Sequence, residues 1–163
     1  KISTTSNEMV TEMNDIVWAI NPRNDSMEKI IQRMESFAKP LAAVRNMHFD
    51  LQYDDAVLSQ PLTMDKRKNF YLIFKEAVNN AIKYSGAKLI SSTIAVNGNS
   101  LQLRVTDDGV GFNPAAEINA GNSSLSGNGL HNMQKRAHEM QGKLDLQSGP
   151  DKGTTIVLTF PLS

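Results

Sequence analysis

The chain has 163 residues, 40% hydrophobic and 21% charged, with 17 Lys and Arg balanced by 17 Asp and Glu. This length supports one domain plus an appended helix, and the zero net charge argues against the broad cationic surface that nucleic acid or anionic lipid would require. The absence of cysteine excludes a disulfide framework, a thiol nucleophile and a cysteine zinc site, and no apolar run approaches the roughly 20 residues of a membrane span, so a reducing cytoplasmic setting is expected.

At the start of the chain Ile2, Met9, Met13, Ile16 and Ile20 recur at spacings of seven, four, three and four, a narrow stripe widened on one side by Val10, Val17 and Trp18. Such a stripe suits a helix of a coiled coil or bundle. Lys1 already falls within it and no signal peptide precedes it, so a longer protein upstream is expected. Asn21-Pro22 ends the helix, because proline disfavours a helical residue before it. Asp25-Ser26-Met27-Glu28 reads as a capping-box-like start to a second helix through Ile30, Ile31, Met34, Phe37 and Ala38, continuing beyond Pro40 after a kink or break. Met47, Phe49, Leu51 and Tyr53 alternate with polar residues as a half-buried strand does.

Thr63 and Asp65 open a long helix whose Phe70, Ile73, Phe74, Ala77, Val78, Ala81 and Tyr84 share one broad face. Strands through Ile90, Ile94 and Val96 and through Leu101, Leu103 and Val105 are joined at Asn97-Gly98-Asn99, a hairpin signal. Residues 113–129 are dominated by Asn, Ala, Ser and Gly and read as a lid. Leu130, Met133, Ala137 and Met140 mark a last helix ending at Gly142, and two strands, 143–148 and 154–160, flank a turn at 149–153. The order predicts an α+β fold, a two-layer sandwich in which helices cover one face of a mixed sheet, with an additional N-terminal helix.

Four stretches carry chemistry. Glu76, Asn80 and Lys83 fall in one row of the long helix, as either a solvated edge or a ligand-facing line whose hard oxygens suit Mg²⁺ shared with substrate phosphates. Asp107-Asp108-Gly109-Val110-Gly111 places a carboxylate at a strand end beside glycines that let backbone approach a ligand; it is either a tight turn or an acceptor for an exocyclic amine such as that of adenine. Gly127-Asn128-Gly129-Leu130 lies where the lid meets a helix, as ordinary capping or as a phosphate-receiving N-terminus. Gly153-Thr154-Thr155 opens the final strand, as a β-forming pair or as a source of a hydroxyl. Walker A, dinucleotide and nucleophile-elbow patterns are absent, and His48, His131 and His138 lack metal spacing.

In this order and spacing the four stretches resemble the boxes of the Bergerat ATP-binding domain shared by gyrase, mismatch-repair and chaperone ATPases and histidine kinases. Phe74 to Ser85 looks like the N box, Asp107 to Gly111 the first glycine box, Gly127 to Leu130 the second, and Gly153-Thr154 the closing threonine motif. Gly129 to Ala137 is similar to the helix after the lid in sensor histidine kinases of the nitrate-sensor type, and Ile16 to Pro22 to the end of their second dimerisation helix. The resemblance covers residues 45–163 well and implies domains at 1–22, the end of a dimerisation helix, and 23–163, the catalytic domain.

By that resemblance the cofactors are ATP and Mg²⁺. Asp107 binds the adenine amine, Asn80 ligates Mg²⁺, and Glu76 lies near the metal, through water, and the γ-phosphate. Lys83 and Tyr84 reach phosphate and nucleotide; Gly109, Gly111, Gly127 and Gly129 let the lid close, with Leu130 in the second glycine box; Thr154 supports the adenine site. The implied activity is transfer of the γ-phosphoryl group to a histidine on a dimerisation domain upstream of Lys1, then to a response regulator receiver domain. No histidine here fits the acceptor role, so this chain is expected not to phosphorylate itself. The whole protein is expected to be a homodimer, with a cytoplasmic catalytic domain whether or not it is membrane-anchored, and without a nucleic-acid partner. The alternatives are an anti-sigma-type serine kinase and an ATP-regulated interaction module without transfer.

Overall fold

A computed structural model describes Val10 and residues 13–110, 129–149 and 153–162. Helix α1, described over residues 13–20, leads through a short 3-10 turn, Pro22–Asn24, into α2 (Met27–Val44) and β1 (His48–Tyr53). A second 3-10 segment, Asp55–Ser59, precedes α3 (Met64–Tyr84), and then come β2 (Leu89–Asn97), β3 (Ser100–Asp107), α4 (His131–Glu139), β4 (Lys143–Ser148) and β5 (Thr154–Pro161). The sheet order is β1-β2-β3-β5-β4. Only β1 and β2 are parallel, and α3 lies in the crossover between them, while the other pairs are antiparallel. The mixed sheet with helices against it is the α+β architecture expected from the order of elements.

Local signals account for these boundaries. Ser26 caps α2 by accepting from the Lys29 N–H at 3.3 Å, and Thr63 caps α3 by accepting from Lys66 at 3.4 Å. Asp65 in the first turn of α3 and Lys83 in its last match the helix dipole. Pro40 does not break α2, contrary to one reading of the sequence. The carbonyl that it leaves without an N–H partner belongs to Ser36, and both residues are exposed, so water can satisfy that group.

The inward row of the sheet, including Ile90, Ile94, Leu101, Leu103, Val105, Leu158 and Phe160, meets α2 through Ile30 and Met34 and α3 through Phe70, Ile73, Phe74 and Val78. Each fully buried side chain of this size contributes roughly 1.5–3 kcal/mol. Alternation along β3 puts Arg104 on the opposite, solvent-facing side.

Helix α1 is held on this layer mainly by polar groups. Asp15, only 4% exposed, accepts from Arg33 of α2 at 3.0 Å and pairs with Lys75 of α3. The Arg33 guanidinium lies 4.7 Å from the centre of the Trp18 ring and 5.7 Å from that of Tyr71, whose phenol is pushed up to about 12 by burial first and by Asp15 second. Arg67, itself buried, donates to the carbonyls of Ala19 and Leu62, both at 2.9 Å. Asp15 and Ala19 therefore face inward with Trp18 partly covered, and Val10, Met13, Val17 and Ile20 are exposed. This outward stripe differs from the seam read in the sequence, because Ile16 packs partly against the core and Val10 and Val17 take its place.

Replacing Asp15 by Ala leaves two cations without their shared buried partner. Asp15→Ala is expected to lower the unfolding free energy by about 3 kcal/mol in urea titrations, with a smaller loss for Asp15→Asn, whose amide oxygen still accepts from Arg33.

Candidate functional site

The sheet ends, on the side where α3 terminates, at a carboxylate. Asp107 is the last residue of β3, paired with Ile90 of β2 on one side and Thr154 of β5 on the other. It is 6% exposed. Its Oδ1 accepts from the Gly109 N–H at 2.9 Å, and the Thr154 N–H also donates to the carboxylate. Burial pushes the Asp107 carboxyl above the ordinary aspartate value, the Gly109 and Thr154 donors pull it back, and neighbouring Asp108 pushes it up again.

Asp108 has a different task. Its Oδ1 accepts from the N–H groups of Lys88 at 2.9 Å and Leu89 at 3.1 Å, and these bonds hold its carboxyl below the ordinary value. The Asp108 N–H donates to the Leu89 carbonyl at 3.3 Å and the Val110 N–H to the Ser85 carbonyl at 2.8 Å. The turn after β3 is thereby fastened to the segment joining α3 to β2. Gly109 lies so close to Ser85 that a side chain there would collide with the Ser85 backbone.

Two further glycines close the arrangement. Gly153, at φ +71, lies against the Asp107 carbonyl, where a Cβ would overlap it, and Ser148 Oγ bridges the Gly153 carbonyl at 3.2 Å and Thr154 Oγ1 at 2.9 Å. Gly129 begins a π-helical turn leading into α4, and a Cβ there would stand 2.5 Å from Glu76 Oε2 and 3.4 Å from Asn80 Nδ2. The structure thus gathers Glu76, Asn80, Asp107, Gly109, Gly129 and Thr154, from stretches far apart in sequence, around the C-terminal half of α3. Leu130 is buried beside them in sequence, and Lys83 and Tyr84 are exposed on the last turn of α3. Gly111, Gly127 and all of the expected lid but Gly129 lie outside the described residues. His48 is on β1, and His131 and His138 are on α4.

Comparison with known proteins decides the family. Residues 65–163 match the model for "Histidine kinase-, DNA gyrase B-, and HSP90-like ATPase". The chain belongs to that family. It is 30% identical over 162 residues to the sensor histidine kinase LnrJ of Bacillus subtilis, covering 98% of this chain and 37% of that protein. It is 29% identical over 93 residues to the oxygen sensor histidine kinase NreB of Staphylococcus carnosus, covering 57% of this chain and 25% of that protein. The chain thus spans well under half the length of these curated relatives.

Among solved structures, the catalytic domain of histidine kinase ThkA superposes with a TM-score of 0.65 at 15% identity, over 83% of this chain and 92% of that one. Full-length ShkA in complex with AMPPNP gives 0.70 at 15% identity, over 96% of this chain and 36% of that one. At such identities the agreement is one of fold. Membership of this ATPase family implies ATP binding, and the relatives do not favour the serine-kinase alternative. Among the described residues no helix is long and apolar enough to cross a membrane.

Sequence reasoning missed the supports of the site. Asp108 and Ser85 fasten the turn, and neither residue type differs from ordinary turn and cap usage. Only the register Ile90↔Asp107 reveals why Lys88 and Leu89 lie within reach of Asp108.

The Asp107 shift has a definite consequence for stability. Because its folded value lies above the unfolded one, its contribution is fully present below the ordinary aspartate value of 3.8 and is lost as pH rises through the raised folded value. Melting temperatures of Asp107→Asn and wild type, measured across that window, are expected to diverge in favour of the variant as pH rises.

Proposed function

We propose that this chain is the ATP-binding catalytic part of a sensor histidine kinase and that it moves the γ-phosphoryl group of ATP to a histidine on a dimerisation domain. The observation that carries this reading is the placement of two groups along the C-terminal half of α3, Gly129 against Glu76 and Asn80, and Asp107, Gly109 and Thr154 beside Ser85 at the helix end. Asp107 is the acceptor for the adenine amine. Its carboxyl group has two main-chain donors already fixed on it, which leaves remaining acceptor capacity for the base. Thr154 supports that end through its N–H.

Asn80 and Glu76 form the phosphate end. A side-chain amide oxygen and a carboxylate are hard donors suited to Mg²⁺, and the missing side chain at Gly129 lets the main chain at the entry to α4 come close to both. When bound, Mg²⁺ would neutralise charge on the β- and γ-phosphates. Asn80 would hold it and Glu76 would orient a water bound to it, and Lys83 and Tyr84 would reach the nucleotide from the exposed edge. Gly109, Gly111, Gly127 and Gly129, with Leu130 in the second glycine box, let the lid close over ATP. Such positioning and charge neutralisation are most of what phosphoryl transfer asks of a protein.

Residues 1–22 are the end of a dimerisation helix and 23–163 the catalytic domain, with the acceptor histidine and the dimer partner supplied by the rest of a longer protein. A response regulator receiver domain then takes the phosphoryl group. The catalytic domain works in the cytoplasm.

Calorimetric titration tests the site. Mg·ATP is expected to bind the wild-type chain and to lose at least tenfold in affinity in Asp107→Asn, the loss of one charge-assisted hydrogen bond being about 1.5–3 kcal/mol. Glu76→Gln is expected to keep ATP affinity within about twofold while lowering transfer to an added acceptor domain. Wild-type affinity in Asp107→Asn would remove the adenine assignment, and undiminished transfer in Glu76→Gln would remove Glu76 from the reaction.

A further inference from the structure

Helices α3 and α4 lie antiparallel. Gly129, at the entry to α4, abuts Glu76 and Asn80, while Arg136 and Glu139, further along α4, meet Asn69 about two turns nearer the start of α3. Along this contact Leu130, Met133 and Ala137 are apolar and buried. Apolar contacts of this kind are non-directional and mark the register of two helices only weakly.

Asn69 is different. It is 1% exposed, its Nδ2 donates to Glu139 Oε1 at 3.3 Å, and its Oδ1 accepts from Arg136 Nη1 at 3.4 Å. Asparagine is a poor helix former, and a buried amide is costly unless both of its ends are bonded. Here one end meets a carboxylate and the other a guanidinium, three residues apart on the same face of α4. The amide can therefore satisfy both partners in one orientation and one register. A buried polar residue that fixes register is the best-attested use of such groups.

We propose that Asn69, with Arg136 and Glu139, is a positioning clasp that sets the register of α4 on α3 and so holds Gly129 against Glu76 and Asn80. Its bearing on nucleotide rests on the ATP reading above. The adenine end is built where β3, β5 and the turn fastened to Ser85 and Leu89 meet, and the bonds that join them there come from residues outside α4. The clasp therefore acts on the phosphate end alone.

The test uses the whole 163-residue chain carrying Asn69→Leu, with Glu139→Ala as a second variant on the exposed side of α4 should the first not fold. Without nucleotide, amide hydrogen exchange at residues 129–133 is expected to accelerate while β3 and β5 keep their protection. With nucleotide, the dissociation constant of Mg·ATP is expected to rise about tenfold, the worth of one or two N–H contacts to phosphate, with that of adenosine unchanged. Unchanged exchange at 129–133 would overturn the clasp, as would an equal loss of affinity for Mg·ATP and adenosine, which marks general loosening. If the wild type binds no nucleotide while the exchange difference stands, the ATP reading fails and the clasp survives.

Discussion

A carboxylate buried at the end of a strand must be given donors, and much of this molecule serves to bring them to Asp107. One donor comes from its own turn at Gly109, the other from the neighbouring strand at Thr154. Neither is available unless the turn is pinned to the α3–β2 junction and β5 runs in register beside β3. The close approaches at Gly109 and Gly153 follow from the same demand, since both remove a side chain where main chain must lie against main chain. Burial raises the Asp107 carboxyl above the ordinary aspartate value, and the two donors pull it back.

Helix α3 is the second organising element, because its faces answer to different partners. Phe70, Ile73, Phe74 and Val78 enter the core, Lys75 turns to Asp15 of α1, and Glu76 and Asn80 turn to Gly129. Successive residues Phe74, Lys75 and Glu76 thus serve three neighbours, as a rotation of about 100° per residue allows. The helix is the common reference for the sheet, for α1 and for the start of α4.

The fold was largely legible in the sequence because its elements follow strong periodicities. Alternation gave β1 and β3, the Asn97-Gly98-Asn99 signal gave the hairpin, and the apolar face gave α3. The family was legible because the residue types of the four stretches are unusual together. What stayed hidden were polar residues facing inward. Asp15, Arg67 and Asn69 look like ordinary solvated positions, and apart from the Leu62 carbonyl their partners lie 18 to 70 residues away. The stripe on α1 was misaligned for the same reason: over three turns a heptad pattern tolerates either Ile16 or Val17, and the choice is made by Asp15 and Ala19 being drawn inward.

The grip on Asp15 also has a mechanical side. Its two cations come from different helices, Arg33 on α2 and Lys75 on α3, and Arg67 holds the Ala19 carbonyl one turn further on. Spinning α1 about its own axis would sweep Asp15 out of both pairings at once, whereas leaning α1 together with α2 and α3 would disturb neither. Rotation of α1 about its own axis is therefore opposed by groups on both of the other helices at once.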